Sequence, residues 1–141
     1  MNLLRLALAS LGAFLAYMVI GGLAFGLIPS LKAEFLKYPA IYRDQQGQAS
    51  HMPLGMAGML VSILALAVLY ALVYQGGSGL VEGLRFGALV GVFFSGSFVI
   101  HNYANLNIGG KITVQQGIAY FVEWVVVGLV IVLIYKPLGG R

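Results

Sequence analysis

Four stretches of this chain are apolar over lengths that match a lipid bilayer, and this limits its fold more than anything else in the sequence. They cover about residues 3–28, 53–74, 80–100 and 114–135, against the ~18–20 residues that a helix needs to cross ~30 Å of hydrocarbon. Lipid offers the backbone no hydrogen-bond partner, so a spanning segment must satisfy its own polar groups, which a helix does. A membrane barrel would instead show alternating segments of about ten residues. These runs are continuously apolar. The predicted fold is therefore all-α: one integral-membrane domain over residues 1–141, an antiparallel four-helix bundle.

Composition excludes the alternatives. Hydrophobic residues make up 60% of the chain, charged residues 9%, and the mean hydropathy is +0.95. A soluble domain carries roughly a quarter charged residues to keep its surface in water. A soluble two-layer fold, a disordered tail and a nucleic-acid module are excluded together. The net charge of +4 comes from scattered lysines and arginines rather than a basic face. Without cysteine there is no disulfide, thiolate nucleophile or cysteine-held metal to consider.

The connections between spans differ. Gln75-Gly76-Gly77-Ser78-Gly79 predicts a tight turn between the second and third spans. The first loop, from Pro29 to Met52, is long and polar. Ser30 is placed to cap a short interfacial amphipathic helix with Leu31, Phe35 and Leu36 on one face. Pro53 suits the first position of the second span, where its missing N–H costs nothing. The first run continues too far past Arg5, with no small-x-small site before Pro29, to be a cleaved signal, so it is expected to remain as a span. Both termini then share one side and the two longer loops the other. Arg5, Arg85, Lys136 and Arg141 balance Lys32, Lys37, Arg43 and Lys111, so charge bias does not orient the bundle. The close flanking of spans by the terminal charges favours termini in the cytoplasm, in a bacterial inner membrane.

Gly83, Gly87, Gly91 and Ser95 form a small-residue stripe on the third span, a device that lets helix backbones approach closely in lipid. Gly55, Gly58, Ser62 and Ala65 share a face of the second span, and Gly22 and Gly26 lie in the first. The short turn favours packing of the third span on the second within one chain, over a homodimer. Gly87→Leu or Gly91→Leu is then expected to unfold the monomer.

Glu123 is the one acidic residue deep in a span. Counted from the loop side it lies ~13 Å in, close to Ser62 at ~14 Å and Tyr17 at ~16 Å, with Ser95 shallower at ~8 Å. Gln116, Tyr120 and Glu123 share a face leading from this polar layer to the loop side. An ionisable group inside a span is a functional hypothesis by default. The competing readings are interhelical glue through serine or tyrosine, a proton or cation relay, and contact with a ligand's polar group. Glu82 is expected to pair with Arg85 one turn on. Trp124 is expected to pack against Gly128 or lipid.

His51 and His101 both fall on the loop side, at span ends. With Asn102, Tyr103 and Asn105, and with Tyr42 and Arg43 from the first loop, they form the candidate ligand-binding set. Two histidines without a matched carboxylate make a weak metal signal, so any metal is left unassigned. Haem or a quinone is the cofactor class that two such histidines would suit. The asparagines equally suit helix capping.

The second half resembles small uncharacterised bacterial four-span membrane proteins, a domain-of-unknown-function type. The resemblance rests on Gly87-Ala-Leu-Val-Gly91, on Asn102-Tyr-Ala-Asn105-Leu106, and on a polar or acidic residue beside Trp124 in the last span. In that family an Asp often stands where His101 and Asn102 are here. The resemblance implies a four-helix membrane topology and no particular activity. The sequence thus predicts a non-enzymatic membrane protein that binds a partner or small apolar ligand through its loop-side face. The alternatives are a proton or cation transporter or channel component using Glu123, and a haem- or quinone-binding redox subunit using His51 and His101. The bilayer is the expected partner, with a homo-oligomer or a larger membrane complex the next.

Overall fold

The computed structural model describes residues 1–74 and 79–136. It is helical, with no strand among the described residues. The Asn2 side chain opens α1 (Leu3–Leu27) by accepting the Arg5 N–H at 3.1 Å. Pro29, in the first turn, starts the short helix α2 (Pro29–Leu36). Asp44 opens α3 (Gln45–Val73), its carboxylate accepting the Gly47 N–H at 2.7 Å. A fourth helix, α4 (Gly79–Phe94), runs into a π-helical segment (Ser95–Ile100) and on through α5 (His101–Asn105) as one rod. The last helix is α6 (Gly110–Tyr135). The helices Leu3–Leu27, Gln45–Val73, Gly79–Asn105 and Gly110–Tyr135 are long and apolar enough to cross a membrane. The protein is a four-helix, multi-pass membrane protein. Residues 75–78 of the predicted turn, and Arg141, lie outside the described residues.

Several boundaries move. The second span starts at Gln45 rather than Pro53, because Asp44 supplies a better cap and the chain is already helical when it reaches the proline. Pro53 sits inside the helix, which membrane helices tolerate better than soluble ones. The third span continues past Ile100 to Asn105, and the fourth begins at Gly110 rather than Val114.

The central helix is α6. Its Trp124, Val127, Ile131, Val132 and Tyr135 are buried against Leu6, Ala9 and Ala13 of α1 and Ile63, Ala67 and Tyr70 of α3. The glycine stripe of α4 faces this helix, not the second span as the short turn led us to expect. A methyl group on Gly83 would lie 3.0 Å from Leu129 Cα, and one on Gly91 would lie 2.8 Å from the Phe121 ring. Gly128 of α6 answers Gly87 of α4, so the two backbones meet with no side chain between them. The second span has no such complement: Gly55 and Gly58, like Gly22 and Gly26 in α1, have nothing within 4 Å of an added methyl. What joins α3 to α4 is Tyr70, whose hydroxyl donates to Glu82 Oε1 at 2.9 Å and whose ring meets Phe86 at 5.2 Å. Glu82 is thereby drawn to Tyr70 instead of forming the expected ion pair with Arg85.

On the termini side, Arg5 Nη1 donates to the Lys136 carbonyl at 2.6 Å, tying the start of α1 to the end of α6. On the loop side, α2 straps the start of α6. Leu31 is buried as expected, whereas Leu36 is 68% exposed and the second inward residue is Glu34. Glu34 Oε1 takes Lys37 Nζ at 2.6 Å and Lys111 Nζ at 2.9 Å. This explains the turn of the helix. Lys111 stands in the first turn of α6, where a cation opposes the helix dipole, and Glu34 offsets it. Tyr38 Oη accepts the Gly109 N–H at 2.9 Å, and Gln115 Nε2 donates to Ser30 Oγ at 3.2 Å.

Candidate functional site

Glu123 lies near the middle of α6, on the face that carries Gln116 and Tyr120, and is 4% exposed. Its carboxyl rests over Gly21 of α1, where an added methyl would lie 2.7 Å from Oε1. The absence of a side chain there makes room for the acid. No Lys, Arg or His forms an ion pair with Glu123 among the described residues, and Oε2 has no hydrogen-bond partner. An ionised carboxyl without a counter-ion in such surroundings costs several kcal/mol. The group must be neutralised by a proton or by a cation from outside the chain.

A polar path leads from Glu123 to the loop side. Gln116 is buried about two turns away on the same face, and its Nε2 donates to Tyr42 Oη at 3.3 Å. Gln116 Oε1 has no partner either. Gln116, Tyr120 and Glu123, with Ala24, Leu31 and Phe35, line a cavity of about 10 Å³. That is roughly the room one water molecule requires. A water has two protons to donate, and two orphaned acceptor oxygens belong to residues of this wall. Phe35 closes the path toward α2, its ring 4.7 Å from that of Tyr42 and 5.4 Å from that of Phe25. Toward the termini the core is apolar, built from Val127 and Ile131 against Ala9, Ala13, Ile63 and Ala67. The polar side chains next to the acid thus lie on its loop side.

The other members of the expected polar layer are placed differently. Tyr17 is half-buried, its ring 5.9 Å from that of Trp124. Ser62 is exposed and gives its proton to the Gly58 carbonyl of its own helix at 3.0 Å. Ser95 is half-buried at the start of the π segment. Neither serine supplies the missing partner of Glu123 Oε2. Trp124 packs not on Gly128 or lipid but between Tyr17 and Phe94, whose ring lies 5.1 Å away.

The loop-side set divides in three. Tyr42 belongs to the Gln116 path. Arg43 and His51 line an open groove between α1 and α3 together with Tyr17. His51 Nδ1 lies 2.9 Å from the Gly47 carbonyl and 3.0 Å from Ser50 Oγ. His101, Asn102, Tyr103 and Asn105 stand on α5, where their hydrogen bonds are local: Asn105 Nδ2 donates to the His101 carbonyl, and the Leu106 N–H to that of Asn102, both at 2.8 Å. Among the described residues no three His, Asp or Glu side chains come together in a metal-holding group.

Three features went unseen in the sequence. The burial of Glu34 was signalled only by its i,i+3 spacing to Lys37. The spacing of Met52, Met56 and Met59 along one helix face marked the groove lining. The π segment had no sequence signal that we can name; such wide turns recur at functional sites. No family model matches the chain, and neither a curated protein nor a solved structure is significantly similar to it.

Proposed function

We propose that the protein is a proton- or cation-binding element of the membrane, with Glu123 as its working site and the loop side as its entrance. One observation carries the reading: a carboxyl buried at mid-span, without a cation beside it and with an oxygen lacking any hydrogen-bond partner. Such a group is expensive to keep and is retained in membranes where ions or protons are handled. It favours this reading over interhelical glue, since glue would bond both oxygens across helices. A partner- or ligand-binding role for the His101 to Asn105 turn rests on exposure alone, and a redox role for the two histidines needs a convergence that their local bonding does not supply.

Gln116 and Tyr42 would pass a proton or position a water toward Glu123, and Tyr120 and Tyr17 would flank it. The apolar core beyond blocks a continuous channel, so transfer to the other side requires the helices to shift. The test is proton uptake by the purified protein in liposomes containing a pH-sensitive dye, under an imposed gradient. Wild-type protein should move protons, Glu123→Gln should not, and Glu82→Gln should behave as wild type. Equal flux in Glu123→Gln, or no flux from folded wild-type protein of either orientation, would overturn the proposal.

A further inference from the structure

The chain has five methionines, and all except Met1 line one groove. Met52, Met56 and Met59 succeed one another on a single face of α3, at the i, i+4, i+7 spacing that stacks side chains over ~10 Å of rise. Met18 faces them from α1, and His51 stands at the upper end of the row. The groove encloses about 480 Å³ and runs alongside Gly55, where an added methyl would meet nothing within 4 Å. Methionine usually fills irregular gaps in cores. Two of these border open space instead, Met52 being 54% exposed and Met18 37%, while Met59 packs partly against the core.

The histidine supplies an independent sign. Its Nδ1 lies 2.9 Å from the Gly47 carbonyl and 3.0 Å from Ser50 Oγ, and the tautomer with the proton on Nδ1 donates to that carbonyl. That leaves Nε2 with its lone pair free, the arrangement found for imidazoles that ligate metals. Neutral thioethers and one imidazole, with no cysteine, aspartate or glutamate in the lining, make a poor site for hard cations and a good one for a soft ion.

We infer that the groove between α1 and α3 binds a soft monovalent metal cation, copper(I), through methionine sulfurs and His51 Nε2. The inference stands apart from the role proposed for Glu123. The one opposing element is Arg43 at the polar end of the groove, whose charge disfavours any cation, so removing it should help rather than harm binding.

The experiment uses silver(I), which shares the charge and ligand preference of copper(I) without its redox chemistry, titrated calorimetrically into the full chain in chloride-free detergent solution. Binding of one ion per chain is expected. The triple change Met52→Leu, Met56→Leu and Met59→Leu conserves volume and should weaken it by at least ~10-fold, as should His51→Ala alone. Arg43→Gln should bind as tightly or more tightly, and zinc(II) should not bind. Absence of silver binding, or binding unchanged in both the triple variant and His51→Ala, overturns the inference. So does loss of binding in Arg43→Gln.

Discussion

A methyl group added at Gly87 would lie 2.5 Å from the Val125 carbonyl oxygen and 2.8 Å from Val125 Cα, both backbone atoms that cannot swing aside. Gly87→Ala must therefore push α4 and α6 apart, and overpacking of this kind costs about 1–3 kcal/mol. Gly58→Ala meets nothing and replaces a poor helix former with a good one, worth up to about 1 kcal/mol in the opposite direction in a helix interior. Thermal unfolding in detergent should accordingly lower the midpoint for Gly87→Ala and leave it unchanged or raised for Gly58→Ala. Similar midpoints for the two would mean that the α4–α6 contact is looser than described. Gly21 is a third case, because what its methyl would meet is the mobile end of Glu123. Gly21→Ala should spare the fold but displace the carboxyl, reducing any Glu123-dependent proton uptake several-fold in the same liposome assay. Sequence alone put Gly87 and Gly58 in small-residue faces and did not single out Gly21. Which of them faces a backbone, a carboxyl or open space is settled by partners tens of residues away.

At the scale of elements, the strap formed by α2 depends on charges that lie outside the spans, and its response to pH follows from them. Hydrogen bonds from Lys37 first, and then from Lys111, hold the Glu34 carboxyl below the usual carboxylate range. The same bond from Glu34 holds Lys37 above the usual lysine range. A depressed acid contributes stability that is present above its unfolded pKa and lost as pH falls through the folded one. A raised base contributes stability that is present below its unfolded pKa and lost as pH climbs through the folded one. The strap should stay docked between those limits and loosen only in strong acid or strong base. A fluorophore attached at Leu36→Cys should report constant mobility across neutral pH and a rise at either extreme. Lys111→Gln should bring the acid transition to higher pH; if it leaves that transition in place, Lys111 does not hold the strap. Of these elements the sequence made the short helix legible through Leu31 and Phe35, whereas Ser30, expected to cap it, lies inside it behind Pro29 and accepts from Gln115 instead. The sequence concealed the face, because Leu36 looked like an inward residue until Lys111 and Glu34 found one another. Pro53 misled in a similar way, since a proline that can start a helix can also be overrun by one that Asp44 has already capped.

For the whole molecule, the number of crossings and the sides of the loops were readable because lipid imposes a length that only four runs satisfy. The order of packing was not. In a bilayer the outside of a helix is as apolar as the inside, so hydrophobic patterning does not reveal which face meets protein. The centrality of α6, and the lighter attachment of α3 through α1 and Tyr70, came instead from Gly128 answering Gly87 and from Glu123 turning toward Gly21. Both proposed sites depend on the shared arrangement of sides, for Tyr42 at the end of the Gln116 path and His51 at the end of the methionine groove both belong to the loop side. That arrangement can be checked directly, because a chain without cysteine gives a silent background. Single cysteines replacing Ser50 and Tyr103, both exposed at the loop side, should react together with a membrane-impermeant maleimide on sealed vesicles of uniform orientation. A cysteine replacing Asn2, beside the Arg5–Lys136 link, should react only after the vesicles are opened, or in vesicles of the reverse orientation. Labelling of positions 50 and 103 from opposite sides would break the four-crossing topology, and with it the common entrance that both sites require.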